Sequence, residues 1–184
     1  MKKFILSFII SLALSQNDYS LEDINPSSVH FGQNVGSSFF EGRVTLHYFG
    51  HFTWGSCTAR FGQLNQIFQN FKSQGLPVDL IGIAKSSQLN SSGNWTSNND
   101  ASVCADESPF HSVWSSWGAS QRDLFILDMS GDVVFHQNVT SGIPADLEDF
   151  IHTLLSSPND PCELGTVYVA EGHNSGDPVD YIEI

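Results

Sequence analysis

Two short apolar segments separated by one amphipathic helix constrain the fold of this chain more than any other feature. The segments RVTLHYF (Arg43–Phe49) and VDLIGIA (Val78–Ala84) are rich in β-branched and aromatic residues, and each has the length of one buried strand. Between them, apolar residues recur at three- and four-residue spacing over roughly 57–74, which predicts a helix with one apolar stripe. The stripe consists of Phe61, Leu64, Ile67, Phe68 and Phe71. A β-α-β unit of this size predicts parallel strands joined by a right-handed crossover.

A hairpin and a further helix follow this unit. DLFILD (Asp123–Asp128) and VVFH (Val133–His136) flank a Gly-containing turn, and Pro144 is predicted to open a last, amphipathic helix. The segment SPFHSVWSSWG predicts a short helix that buries Trp114 and Trp117. The order β-α-β and then β-β-α predicts an α/β, thioredoxin-like fold, with a mixed central sheet of about four to five strands flanked by helices.

The two ends of the chain differ in composition from this domain. Two lysines, an apolar run over Phe4–Leu14, and Ala13 and Ser15 predict a signal peptide over 1–15, with a mature protein that begins at Gln16. An uncleaved anchor is the alternative, although the run is short for a bilayer. We expect an extended lead-in over 16–42, the thioredoxin-like domain over 43–158, and an acidic, loosely ordered tail over 159–184.

The net charge limits the partners of the mature protein. Without the leader, the chain has 5 basic and 20 acidic side chains, a formal net charge of −15. Such a surface repels phosphate backbones and other polyanions, so we expect no nucleic-acid partner. No segment has the alternating acidic spacing of an EF-hand loop, and no segment after the leader is apolar over the length of a membrane span.

Three Asn-x-Ser/Thr sequons occur, at Asn90, Asn94 and Asn138. Behind a signal peptide they predict a secreted glycoprotein with these residues in exposed loops. Asn90 and Asn94 lie in a Ser/Asn-rich run without apolar periodicity, which predicts a surface loop.

The junction between the first strand and the first helix contains a single thiol, in the stretch FTWGSC that ends at Cys57. The pattern VTLHYFGHFTWGSCTARFGQLNQIF resembles the N-terminal domain of selenoprotein P, in which a similar strand leads into selenocysteine-x-x-cysteine at the start of a helix. The similarity continues in VWSSWGASQRDLFILDMSGDVVFH and covers most of 36–162. It implies that Trp54 stands at the selenocysteine position and Cys57 at the resolving position. The tail has no His-rich or Cys-rich segment, so the resemblance implies no selenium-carrying role.

Three interpretations of this motif remain open. Dithiol exchange requires two sulfur or selenium atoms at a helix N-terminus, and an indole is not a nucleophile. In the first interpretation the domain is redox-inactive and Cys57 is a small buried hydrophobe. In the second, Cys57 reacts alone, assisted by the helix dipole and by Arg60. In the third, the codon at position 54 is UGA and has been misread as tryptophan. Residue 54 would then be selenocysteine, and its selenium would be the one non-standard element of the site.

The remaining cysteines and the histidines suggest structural roles. Cys104–Cys162 is the first choice for a disulfide in an oxidising compartment, with pairings of Cys57 or an intermolecular bridge as alternatives. His47 and His51 straddle a strand end, where four-residue spacing does not form a metal site, so we expect no metal and a packed or hydrogen-bonded His47. The approach to the third core strand contains Gln121, Arg122 and Asp123 where thioredoxin-type enzymes have a cis-proline, and Pro109 lies too early in the chain.

Two classes of function are compatible with these features. One is a non-catalytic or weakly redox-active extracellular glycoprotein that acts by binding an extracellular protein. The other is a thiol or selenol oxidoreductase that reduces disulfides or peroxides at position 54 and Cys57, with a small thiol or peroxide as its reaction partner.

Overall fold

The structure is a computed structural model that describes residues 17–156. The predicted signal peptide and the acidic tail lie outside the described residues. The helices are α1 (Gly55–Ser73), α2 (Gly93–Thr96), α3 (Ser112–Ser116) and α4 (Leu147–Leu155), with short 3₁₀ turns at Ser38–Phe40 and Ser86–Ser91. The strands are β1 (Leu21–Glu22), β2 (Asn34–Val35), β3 (Val44–Phe49), β4 (Val78–Lys85), β5 (Ser102–Asp106), β6 (Asp123–Leu127) and β7 (Val133–Asn138).

The central sheet has five strands in the order β5-β4-β3-β6-β7. Strand β4 runs parallel to both β3 and β5, whereas β6 is antiparallel to β3 and β7 is antiparallel to β6. The predicted β-α-β unit and hairpin are therefore confirmed, and so is the mixed sheet. The central strand β3 is buried along its whole length, as expected for a strand covered on both faces.

Helices cover both faces of the sheet. Val44, Leu46 and Tyr48 of β3 contribute to a core with α1 and α4, whereas Phe49 contributes to a second core with Trp114 and Trp117 of the α3 region. This division follows from the two-residue period of a strand. The predicted burial of both tryptophans is confirmed, and four residues of the predicted α1 stripe are buried: Phe61, Leu64, Phe68 and Phe71.

The Ser/Asn-rich run differs from the surface loop that its composition predicts. It forms the 3₁₀ turn Ser86–Ser91 and helix α2, and Trp95 within it is fully buried. The Trp95 ring stacks on Phe61 with ring centroids 4.6 Å apart, directly above Gly82 of β4. One buried side chain anchors this run, so it shows no apolar periodicity in the sequence.

The lead-in also contains regular structure. Strands β1 and β2 form a small antiparallel sheet, and Asp23 forms an isolated bridge to Cys104 at the outer edge of β5. Asp23 and Asn25 are fully buried, and the Asn25 side chain donates hydrogen bonds to the carbonyls of Asn99 and Ala101. Residues 17–42 thus pack on the same core as the predicted domain, and they cover its β5 edge. The sequence pattern does not predict strand β5, because Val103 is its only β-branched residue.

Candidate active site

The first turn of α1 places position 54 and Cys57 next to each other. Trp54 is the N-cap of α1, and its carbonyl accepts hydrogen bonds from the backbone N–H of Cys57 (2.9 Å) and of Thr58 (3.0 Å). This arrangement puts both residues at the positive end of a 19-residue helix, where an anionic sulfur or selenium would be stabilised.

The two positions differ completely in exposure. Trp54 is 48% exposed, and its ring stacks on His51 with centroids 5.1 Å apart. Cys57 is 0% exposed and belongs to the core that contains Phe61 and Tyr48. The solvent-exposed position of the motif is therefore occupied by an indole, and the thiol is buried.

Side chains from the loop before β6 cover the Cys57 sulfur. Gln121 Nε2 donates to Cys57 Sγ at 3.2 Å, and Arg122 Nη1 lies 4.0 Å from the same sulfur. Arg122 is held by Ser56 Oγ (3.2 Å) and Thr140 Oγ1 (2.8 Å). Its backbone has a φ of +68°, a conformation that non-glycine residues rarely adopt and that requires support from neighbouring contacts.

Arg122, and not Arg60, is therefore the basic residue beside Cys57. Arg60 instead donates to the carbonyl oxygens of Val139 (2.9 Å) and Thr140 (3.1 Å), so the predicted assistance from Arg60 is wrong.

The loop before β6 takes the place that a cis-proline has in thioredoxin-type enzymes. The Ser108–Pro109 peptide is cis, but it lies between β5 and α3. The residues that precede β6 and contact Cys57 are Gln121 and Arg122. The absence of a proline before β6 is visible in the sequence. The sequence does not show that the Gln121 and Arg122 side chains reach the Cys57 sulfur.

Nearby titratable groups respond to burial. Burial raises the pKa of the Tyr48 hydroxyl, with the neighbouring Cys57 as a further cause, and Tyr48 Oη donates to the Cys57 carbonyl at 3.4 Å. The pKa of His51 is lowered, first by partial burial and second by the charge of Lys85. The lowered pKa favours the neutral form of His51.

The other predicted histidine has a structural role. His47 is fully buried, its Nδ1 lies 2.8 Å from Tyr19 Oη, and its Nε2 lies 2.9 Å from Thr45 Oγ1. This agrees with the expectation of a packed, hydrogen-bonded side chain. Within residues 17–156, no three His, Cys, Asp or Glu side chains are grouped closely enough to hold a metal ion.

The predicted disulfide stays a prediction, because Cys162 lies outside the described residues. Cys104 is fully buried in β5, and its sulfur lies 3.8 Å from the carbonyl oxygen of Leu21. Burial raises the pKa of the Cys104 thiol well above its ordinary value, and the Asp23 carboxylate raises it further. A Cys104–Cys162 disulfide would require Cys162 to reach the Cys104 sulfur, which lies beneath β1.

The three sequons differ in their local environment. Asn90, Asn94 and Asn138 are all exposed. Asn94 Nδ2 donates one hydrogen bond, to the Phe52 carbonyl at 2.8 Å. Asn138 Nδ2 donates two, to the Gln121 carbonyl (2.9 Å) and to Asp123 Oδ1 (2.7 Å), so a sugar on this nitrogen would displace one of them.

Comparisons with known proteins bear on the fold alone. No family model matches the chain, and no curated protein matches it. A putative thiol:disulfide interchange protein DsbE from Chlorobium tepidum is similar in structure, with a TM-score of 0.60 and 19% sequence identity, over 75% of this chain and 93% of that one. A secreted disulfide oxidoreductase from Mycobacterium tuberculosis, homologous to DsbE, gives a TM-score of 0.57 and 14% identity, over 78% and 98% of the two chains. A putative thioredoxin from Neisseria meningitidis gives 0.58 and 16%, over 79% and 91%.

These similarities agree with the α/β fold and the mixed sheet described above. In the described part of the chain, no helix is both long enough and apolar enough to cross a membrane. The chain has a thioredoxin-like α/β fold, with a five-strand mixed central sheet between helices.

Proposed function

We propose that this protein is a secreted thioredoxin-fold glycoprotein that acts by binding and has at most weak redox activity. The proposal rests on which side chain of the motif is exposed at the first turn of α1. The exposed position is Trp54, whereas the only sulfur of the motif, on Cys57, is fully buried. A substrate disulfide requires an exposed attacking thiolate, so exchange through this motif lacks its first step.

Export and glycosylation belong to this proposal. The N-terminal pattern of Lys2 and Lys3, an apolar run and small residues supports export, and the exposed sequons support glycosylation. The resemblance to the N-terminal domain of selenoprotein P supports an extracellular setting. N-terminal sequencing of the secreted protein should find Gln16 as its first residue; Met1 would contradict cleavage.

Redox activity is tested with the whole protein. We expect the wild type to reduce insulin no faster than its Cys57→Ser variant, and alkylation of native Cys57 to be far slower than in denaturant. Insulin reduction that requires Cys57 would overturn the binding proposal. Peptide mapping after alkylation would distinguish Cys57 from Cys104 and Cys162.

An oxidoreductase is the second candidate, and the geometry of position 54 favours it. A selenocysteine there would be exposed at the helix N-terminus, with the Cys57 thiol within the same helical turn. Its selenolate would attack a peroxide to give a selenenic acid and an alcohol. Cys57 would then displace water to form a selenenylsulfide bond, which two external thiols would reduce. A UGA codon at position 54 supports the selenocysteine form of this candidate. A UGG codon eliminates that form and leaves only an oxidoreductase in which Cys57 reacts alone.

A further inference from the structure

A pocket lies beside the Trp54–Cys57 motif, and the buried Cys57 sulfur is not part of its lining. Its volume is about 330 Å³, within the range of small-molecule sites. It lies between the β3–α1 loop, the end of β4 with the following turn, and the segment from α3 to β6. The lining residues are His51, Lys85, Gln88, Trp114, Ala119, Ser120 and Gln121.

The charge of this pocket contrasts with that of the protein. The chain has a net charge of −13, yet no Asp or Glu side chain lines the pocket. Lys85 Nζ lies 4.8 Å from the centroid of the Trp114 ring. Among the described residues, Lys85 has no carboxylate within salt-bridge distance, whereas Lys72 pairs with Asp100 at 2.8 Å. The ammonium group is therefore available to an anion.

The two glutamines add directional hydrogen bonding. Gln88 Oε1 accepts from the Phe52 backbone N–H at 3.3 Å, which leaves its Nε2 as a donor. Gln121 Nε2 donates to Cys57 Sγ, which leaves its Oε1 as an acceptor. The pocket thus offers a cation and an amide donor for a carboxylate, and an acceptor for one N–H group. Trp114 and Ala119 supply apolar surface.

We propose that this pocket binds a small N-acylated amino acid. The carboxylate would lie against Lys85 and Gln88, the amide N–H would donate to Gln121 Oε1, and an apolar side chain would contact Trp114 and Ala119. The pKa of His51 is lowered, which favours its neutral form, so Lys85 supplies the positive charge of the pocket. The inference deepens the binding role proposed above and rests on it. Its test measures occupancy and not Cys57 reactivity, so either proposal can fail alone.

The test is a titration of the full secreted chain with N-acetyl-leucine, followed by the amide resonances of Ser120 and Gln121 and the indole N–H of Trp114. We expect saturable shifts with a Kd of about 1 mM or tighter. N-acetyl-leucinamide lacks the carboxylate and should bind about tenfold more weakly, because the charge-assisted contact to Lys85 is lost. This comparison requires only the wild type.

Two lysine variants provide the matched control. Lys85→Met keeps the aliphatic chain and removes the charge, so it should weaken N-acetyl-leucine binding by about tenfold. Lys72→Met removes a charge outside the pocket and should bind as the wild type does. The proposal is overturned by an absence of saturable shifts up to about 10 mM. It is equally overturned if the amide binds as well as the acid, or if Lys85→Met and Lys72→Met behave alike.

Discussion

The Gln121 side-chain amide donates a hydrogen bond to the buried sulfur of Cys57 over 3.2 Å. This contact joins the loop before β6 to the first turn of α1, and it closes the approach to the only thiol of the motif. We predict that Gln121→Ala lowers the free energy of unfolding by about 1 kcal/mol, the usual net value of one hydrogen bond. It should also accelerate alkylation of native Cys57.

Urea unfolding and mass-mapped alkylation check this prediction. Gln63→Ala is the matched control, because the side-chain hydrogen bond of Gln63 in the described structure comes from the Arg60 guanidinium and not from a group beside Cys57. Equal Cys57 alkylation rates in the two variants would show that Gln121 does not shield the sulfur.

Trp54→Cys should convert the motif into a dithiol. Position 54 is exposed at the helix N-terminus, and Cys57 lies in the same turn, so the two sulfurs should form a disulfide and reduce insulin. The double variant Trp54→Cys, Cys57→Ser should lose turnover, because no resolving thiol remains. An inactive Trp54→Cys protein that folds normally would mean that the Gln121–Arg122 loop, not residue 54, prevents exchange.

Gly82→Ala should destabilise the fold by about 2 kcal/mol, a typical cost of overpacking. A Cβ at this position would lie 2.6 Å from Phe61 Cε2 and 2.8 Å from Trp95 Cζ3, inside the stacked ring pair.

Gly62→Ala on α1 is the comparison for Gly82→Ala in thermal unfolding. Its Cβ would meet only Asn99 Oδ1, at 3.9 Å, so the better helix propensity of alanine should stabilise the protein by up to about 1 kcal/mol. Similar effects of the two variants would contradict the close packing of Trp95.

Acid should destabilise the protein through His47. Burial lowers the pKa of His47 to about 3, whereas an unfolded histidine titrates near 6.5. Between these values the unfolded chain binds one more proton, so stability falls as the pH falls from 6.5 towards 3. The His47 contribution lost by pH 4.5 is on the order of 3 kcal/mol.

The measurement is urea unfolding between pH 7 and pH 4.5. In the His47→Gln variant, the slope of the free energy of unfolding against pH should correspond to about one proton fewer than in the wild type. The variant should also be less stable at pH 7. Equal pH slopes in wild type and variant would show that His47 is not protonated on unfolding.

Glycan occupancy should differ between Asn90 and Asn138. Asn90 is exposed and its side chain has no hydrogen bond in the described structure, whereas both N–H bonds of Asn138 Nδ2 are used. Glycopeptide mapping of the secreted protein should therefore find high occupancy at Asn90 and low occupancy at Asn138. The reverse order would mean that the sugar is attached before the Asn138 contacts form.

The local periodicity of the sequence was sufficient to predict the main elements of the sheet. β-branched and aromatic runs identified β3 and β4, and the stripe from Phe61 to Phe71 identified α1. These patterns repeat over several residues, so they remain visible without tertiary contacts. The pattern was weaker for β5 and α2, where one or two buried residues decide the structure.

The sequence by itself determined which atoms the candidate site contains: one thiol at Cys57 and an indole at Trp54. Only the tertiary structure decided that the indole faces solvent and that the thiol is buried. It also replaced Arg60 by Arg122 as the neighbouring cation, and it brought Lys85 and Gln121 to one pocket. Lys85 and Gln121 are 36 positions apart in the sequence, and Cys57 and Arg122 are 65 apart. Packing across the sheet, not local propensity, therefore brings the members of each pair together.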